Sequence, residues 1–415
     1  MANHARLSPS SAVRWLNCKA APVMESGKPN TTSEHAAEGT AAHYLAEQCL
    51  INDLTADRFT DDRLAVTKAG RVIKWTPDLG DVNPEADFDF DVDGDMADHV
   101  QEYLDTVRAV RDSMGGELLV EQRLNLEPIT GEKGAKGTAD AVILGDDEIA
   151  VIDLKFGMGV QVEAENNPQL MLYGLAALIE YEYAGDFKTV RLVISQPRRR
   201  HSSEWTIEAD ELREFGRQVS KTADLIRSLN DKSDLSGLFA PGEKTCKWCK
   251  AAATCTAYAE YVHKTVMDEF ISLDSPLTVS DATMDSDTLA EMFERTEAVK
   301  NWVKAIEAET HNRLMAGEKV GEFKLVQGRR GARKWADEAA VESALKALKL
   351  KSDEMYKQKL ASPTDVEKLV KKDRLTTEEW DRLQTLITAP EGKPTVAPYH
   401  DKREAINPAD IFGDI

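Results

Sequence analysis

The chain is short of positive charge. Its 52 Lys and Arg stand against 73 Asp and Glu, a formal net charge of −21 over 415 residues. That balance argues against a protein that grips nucleic acid over its whole surface, because phosphate contacts come from Lys and Arg. A confined basic track remains open. Residues 78 to 102 hold ten acids and no Lys or Arg, whereas residues 319 to 374 hold fifteen basic and nine acidic side chains. Long apolar runs are missing too. No stretch approaches the roughly 20 residues that span a bilayer, and the polar N-terminus does not read as a signal peptide. The expectation is a cytoplasmic protein with no membrane partner. Cysteine is scarce and unevenly spaced, five in all, which does not fit a secreted disulfide framework. No internal repeat is evident. At 46.0 kDa the chain has length for two or three domains with cores of their own.

What is present centres on residues 137 to 173. The runs 138–144 and 148–154 are rich in Val and Ile and are separated by Gly145-Asp146-Asp147, which predicts a β-hairpin. Each strand carries one carboxylate, Asp140 and Asp153, and the pairing lets them meet. Alternation puts Asp153 and Lys155 on one face of the second strand and Ile152 and Leu154 on the other. Two carboxylates beside a lysine suit a hard divalent cation such as Mg²⁺, and the chemistry implied is phosphodiester hydrolysis. Taken alone, Asp-x-Lys is equally a surface ion pair. The next segment adds to it. Asn167 fits an N-cap and Pro168 a first helical position, so Gln169 and Tyr173 share a helix face.

Further candidates flank this unit. The spacing predicts a helix from Ser33 to Ile51 in which Gly39 and His43 lie four apart, leaving room beside the imidazole. Asp89-x-Asp91-x-Asp93-Gly94 begins like a calcium loop, but Val100 stands where a bidentate Glu belongs. A strand near 88–92 and a helix capped by Asp93 that carries Met96, Val100, Tyr103 and Val107 fit better. Residues 117 to 126 alternate as a strand, on which Glu121 is either an extra acid of the site or a solvated charge. After the core, strands at 189–196 and 204–207 flank a basic turn, residues 197 to 201, that either meets phosphate or is a solvated loop. Cys246-x₂-Cys249-x₅-Cys255 is a compact thiolate cluster with no local fourth ligand. Its spacing permits zinc or an iron–sulfur cluster.

Gly-x-x-Asp140, Asp153-x-Lys155 and Gln169-x-x-x-Tyr173, in that order, resemble the RecB-like branch of the PD-(D/E)XK nuclease superfamily. The resemblance covers roughly residues 7 to 260. It implies an α/β (α+β) fold, with a mixed, restriction-endonuclease-like sheet flanked by helices and a mainly helical C-terminal region. It further implies that His43, Asp140, Asp153 and the Leu154 carbonyl hold Mg²⁺ or Mn²⁺. Lys155 would position water, and Gln169 and Tyr173 would orient the scissile strand. The iron–sulfur members, of the AddB and CRISPR-adaptation types, have one cysteine before the nuclease core and three after it. On that pattern Cys18 joins Cys246, Cys249 and Cys255 around a [4Fe-4S] cluster, with Zn²⁺ the alternative, and Cys49 is a buried small hydrophobe. The layout is also similar to a family of phage and prophage proteins assigned to this superfamily. The activity implied is a metal-dependent DNA nuclease, an exonuclease by preference, in phage DNA replication or recombination within a bacterial host. Its partners would be DNA and a phage recombination or replication protein. The alternatives are a non-cleaving DNA- or partner-binding protein on the same fold and a zinc-stapled structural phage protein. The domains expected are a nuclease domain (1–272), a helical accessory domain with a basic hairpin built on 323–326 and 332–335 (273–388), and an extended or disordered tail (389–415).

Overall fold

A computed structural model describes residues 5–28, 33–60, 62–75, 86–267, 286–328, 334–356, 361–370, 374–388, 392–398 and 404–406. The chain divides into two compact units, Met1–Trp302 and Val303–Ile415. Chain order begins α1 (Ala12–Asn17), α2 (Ala21–Met24), α3 (Glu34–Ile51), β1 (Arg63–Val66), β2 (Val72–Trp75), β3 (Phe88–Asp91) and α4 (Gly94–Met114). It continues with β4 (Glu117–Asn125), α5 (Glu127–Thr130), β5 (Lys136–Leu144), β6 (Glu148–Leu154), α6 (Pro168–Glu180), β7 (Thr189–Gln196), β8 (His201–Glu208) and α7 (Ala209–Ser228). Then come α8 (Glu243–Cys246), α9 (Thr256–Met267) and α10 (Ser286–Met315).

The first unit is α/β. Its main sheet has the order β4-β5-β6-β7-β8, antiparallel throughout except for the parallel pair β6 and β7. A parallel pair needs a crossover connection, and α6 supplies it. The hairpin expected between β5 and β6 is present, closed by Gly145 N–H donating to the Glu148 carbonyl at 2.9 Å. β6 is the centre of the sheet, and every side chain from Ile149 to Leu154 is buried. Ile149 and Val151 face a core shared with α1, α6 and α7, while Ala150, Ile152 and Leu154 face a second core shared with α3 and α4. A strand covered on both faces has to read as a continuous apolar run, and each Ile, Val or Leu so buried contributes about 1.5–3 kcal/mol. Asp153 is the exception in that run, which marks it.

Helix starts follow the sequence signals. Ser33 caps α3 by accepting from Ala36 N–H, Asp93 caps α4 through Met96 N–H, and Asn167 caps α6 through Gln169 and Leu170 N–H. The small sheet, in the order β2-β1-β3, adds Leu64 and Val66 to the second core. β1 and β2, four residues each, fall where the sequence showed no alternating pattern long enough to read.

The second unit departs from expectation. Among the described residues, Phe323–Gly328 and Lys334–Trp335 do not pair with each other. Strand β9 (Phe323–Gly328) instead pairs antiparallel with Gly392–Pro398, and Lys334–Trp335 pairs with Ile387–Thr388. The segment 392–398, within the tail expected to be extended or disordered, is a paired strand. Helices at Glu338–Ala347, Ser352–Met355, Pro363–Val370 and Thr377–Gln384 enclose a core of Val341, Leu345, Val366, Trp380 and Leu383. The boundary expected at 272/273 and the basic residues Arg329, Arg330 and Arg333 lie outside the described residues.

Candidate active site

Both ladders that flank β5 open at one residue, Asp140. Pairing with β6 runs from Leu144 and ends at Ala141 with Ile152, so the next rung would have set Asp140 against Asp153. Freed from that ladder, Leu154 N–H donates to Asp140 Oδ2 at 2.7 Å. On the other side, β4 pairs Val120 with Ala141 and Gln122 with Ala139 and skips the rung between them, Glu121 with Asp140. Glu121 has φ 47°, in the left-handed region. A non-glycine residue there costs about 1–3 kcal/mol and is typical of functional sites. The backbone thus turns Glu121 out of the sheet's alternation at the position of Asp140.

Three donors meet in this gap. His43, on α3, sets Nδ1 3.2 Å from Asp140 Oδ1. Ligand atoms of His43, Glu121 and Asp140 all lie within 4.8 Å of one another. Gly39, the glycine one turn before His43, has open space where a side chain would project.

Asp153 stands beside this trio in a different role. It is only 4% exposed, and Gln169 Nε2 donates to its Oδ1 at 2.8 Å. Its Oδ2 lies 2.7 Å from Lys155 Nζ. Lys155 in turn donates to Gln169 Oε1 at 3.1 Å, so one amide holds carboxylate and ammonium together. An amide can do this because it donates at one end and accepts at the other. Its place depends on the loop before α6, which β7 and β8 secure. Gln196 accepts from Val162 N–H and donates to the Val160 carbonyl, and Ser203 Oγ accepts from Ala164 N–H. Tyr173, one turn beyond Gln169, packs against Gly137. A Cβ at Gly137 would sit 2.8 Å from the Tyr173 ring, which explains the glycine three residues before Asp140.

The charges are strongly coupled. Burial alone would lower the His43 pKa, but the Asp140 carboxylate, as charge and as hydrogen-bond acceptor, overrides it and holds His43 at about 9. Burial opposes Asp140 as well, yet His43 keeps its carboxyl below the usual range. Burial first, then the Asp140 charge, pushes Glu121 up to about 7. Burial also raises Asp153, against the pull of Lys155. Burial and the three carboxylates keep the Tyr173 phenol well above its ordinary value. Perturbation by burial and by like charge in one cleft is a mark of functional sites.

The structure brings His43, Asp140 and Glu121 into one cluster and Asp153 together with Lys155 and Gln169, while Leu154, expected to offer its carbonyl, meets Asp140 through its N–H. Tyr103 of α4, expected only on the helix's apolar face, has a buried hydroxyl with no hydrogen-bond partner. Nothing in the sequence distinguishes it from a core tyrosine. In the basic turn, Arg198 pairs with Glu38 at 2.9 Å, and Arg199 donates to the Met158 and Gly159 carbonyls. Arg198 is thus half-buried against Glu38, while Arg199 stays exposed. His201 is already the first residue of β8.

Far along the sequence, Cys18, Cys246, Cys249 and Cys255 line one largely apolar cavity with Ala21, Met24, Phe239 and Tyr258. Cys18 follows α1, and Arg14 of that helix donates to the Trp248 carbonyl between Cys246 and Cys249. Burial pushes the Cys246 thiol up to about 11 and the Cys249 thiol up to about 12. Among the described residues, no three cysteine sulfurs lie within 4.8 Å of one another. Cys49 is wholly buried in the second core, among residues of α3 and α4.

Among the described residues no helix is long and apolar enough to cross a membrane. A solved structure described as "Crystal structure of SSO0001" is similar over 38% of this chain and 67% of its own, at 17% identity and a TM-score of 0.20. That likeness is too slight to bear on fold or site. A family model described as "Protein of unknown function (DUF2800)" matches residues 4–404.

Proposed function

We propose that this chain, which belongs to the DUF2800 family, is a metal-dependent deoxyribonuclease of the RecB-like PD-(D/E)XK type that hydrolyses phosphodiester bonds, as an exonuclease in phage DNA replication or recombination. The observation that carries this reading is the double opening of the ladders at Asp140. It brings His43, Glu121 and Asp140 within 4.8 Å of one another beside an Asp153–Lys155 ion pair clamped by Gln169. The donor set fits a hard divalent cation that tolerates one imidazole among carboxylates, Mg²⁺ or Mn²⁺. When bound, such an ion polarises a phosphoryl oxygen and lowers the pKa of a water.

The chain's own residues do the rest. His43, Glu121 and Asp140 would hold the ion, with Leu154 N–H fixing the Asp140 carboxylate. Lys155 is anchored at Asp153 and Gln169, so its ammonium orients the attacking water and offsets charge that develops on the phosphoryl oxygens. Gln169 keeps Asp153 and Lys155 in register. Tyr173, held neutral, borders the same cleft and orients the scissile strand.

The four-cysteine cavity supports an iron–sulfur cluster as the second cofactor. Four thiolates lining one cavity suit such a cluster, with Zn²⁺ the alternative. DNA as the partner, and a cytoplasmic place in a bacterial host, follow from the nuclease reading.

The test uses purified full-length protein with labelled linear and circular DNA, in Mg²⁺, Mn²⁺ or EDTA. Linear DNA should be degraded only with metal, and Asp140→Ala and Asp153→Ala should abolish cleavage while leaving the fold intact. Metal-dependent loss of closed circles would make the enzyme an endonuclease. DNA bound but never cut would replace the enzyme by a non-cleaving binding protein.

A further inference from the structure

Tyr103 has no place in the account above, yet its surroundings are unusual. Its side chain is 1% exposed, in the core that α3 and α4 share with the sheet, a core that also holds Ala41, Ala42, Ala141 and Leu154. Those residues adjoin His43, Asp140 and Asp153 in sequence. A buried phenol ordinarily finds a hydrogen-bond acceptor, since an unmet hydroxyl carries the full cost of its desolvation. This one has none. After burial itself, the charges of Asp140, Asp153 and Glu121 hold the phenol well above its ordinary ionisation range. Tyr103 is therefore a neutral, unpartnered donor, buried in the core beneath the site and within electrostatic reach of its carboxylates. Phenylalanine would fill the same space with no unmet group, so packing alone does not account for the oxygen.

We propose that Tyr103 is a positioning residue of the cation site, whose hydroxyl donates to a water that enters with the divalent ion between His43, Glu121 and Asp140. Buried water bridges otherwise unsatisfied polar groups, and here the phenol supplies the donor while the carboxylates supply acceptors. Such an outer hydrogen bond orients what the ion holds and tightens its retention. The inference rests on the cation site of the proposed nuclease, but not on cleavage.

The experiment strips the full-length protein with EDTA and titrates Mn²⁺ by calorimetry without DNA, for wild type and Tyr103→Phe. The melting temperature of each is recorded with and without the ion. Tyr103→Phe should melt no lower than wild type in the absence of Mn²⁺, because it removes only an unmet hydroxyl. It should bind Mn²⁺ about 10- to 100-fold more weakly, the loss usual for outer partners of a metal ligand, and lose most of the thermal shift the ion confers. A Phe variant that binds Mn²⁺ within about twofold of wild type overturns the proposal, whatever its melting temperature. Wild-type protein that binds Mn²⁺ yet cuts no DNA removes the enzyme reading and leaves Tyr103 in its role. Wild type that binds no Mn²⁺ overturns both.

Discussion

The coupling of His43 to Asp140 makes metal binding a proton-release reaction, and its pH dependence can be worked out in advance. Without metal, His43 holds its proton up to about pH 9 and Glu121 holds one up to about pH 7. Ligation requires a bare imidazole nitrogen and an ionised carboxylate, so both protons must leave. At pH 7 about one His43 side chain in a hundred is neutral, and about half of the Glu121 carboxyls are ionised. Each pH unit below 9 therefore weakens apparent affinity about tenfold through His43, equivalent to about 1.4 kcal/mol. From pH 7 to 8 the Mn²⁺ affinity should rise about tenfold, and somewhat more once Glu121 is included. Calorimetry in two buffers of different ionisation heat should count about 1.5 protons released per ion at pH 7, one from His43 and about half from Glu121. His43→Ala should bind more weakly at pH 8 and release fewer protons at pH 7, since the imidazolium proton is gone while Glu121, no longer lowered by His43, still gives up its own. Equal proton release from wild type and His43→Ala would refute the argument, because His43 would then not be the group the ion displaces.

Three other outcomes follow from the geometry. Lys155→Ala should cut DNA about 10²-fold or more slowly, the scale of one lost transition-state contact, while Mn²⁺ binding by calorimetry stays near wild type; normal cleavage would reduce Asp153–Lys155 to a structural ion pair. Gly137→Ala drives a Cβ to 2.8 Å from the Tyr173 ring, and should cost about 1–3 kcal/mol of overpacking in urea denaturation; an unchanged midpoint would mean the ring moves freely. Protein purified without oxygen should be brown with about four irons per chain. Cys18→Ala should lose them and Cys49→Ala keep them, and the reverse pattern would remove Cys18 from the ligand set.

How much of this was legible in the sequence depended on the range of the contacts involved. The hairpin of β5 and β6, the Asn167 cap and the Gln169–Tyr173 spacing are set within a few residues, where strand and helix periods apply directly. The same local rules fail for the second unit. Its strand β9 finds its partner more than sixty residues away, at 392–398, and a short polar segment with two prolines carries no sign of that partner. A nearby stretch, 332–335, looked the better hairpin mate because it was closer and carried an aromatic. Proximity in sequence is a prior for pairing and no more than that.

The candidate site shows the same limit at finer scale. Asp140, Asp153 and Lys155 were identifiable because charged residues interrupt an apolar strand pair, and burying a charge is costly unless it is matched. Glu121 was open to two readings, an extra acid of the site or a solvated charge, because an acid in alternation on a half-exposed strand fits both. What brings it into the site is a backbone event, the positive φ at Glu121 and the rung it skips opposite Asp140, and no residue type there announces it. Glycine, or failing that Asn or Asp, is the usual sign of such a conformation, and Glu is not. The strain is sustained only because the hydrogen bonds on either side, Val120 with Ala141 and Gln122 with Ala139, hold the strand in register around it. The carboxylate that completes the trio is thus positioned by the sheet as a whole, which is why alternation along the strand left its role open.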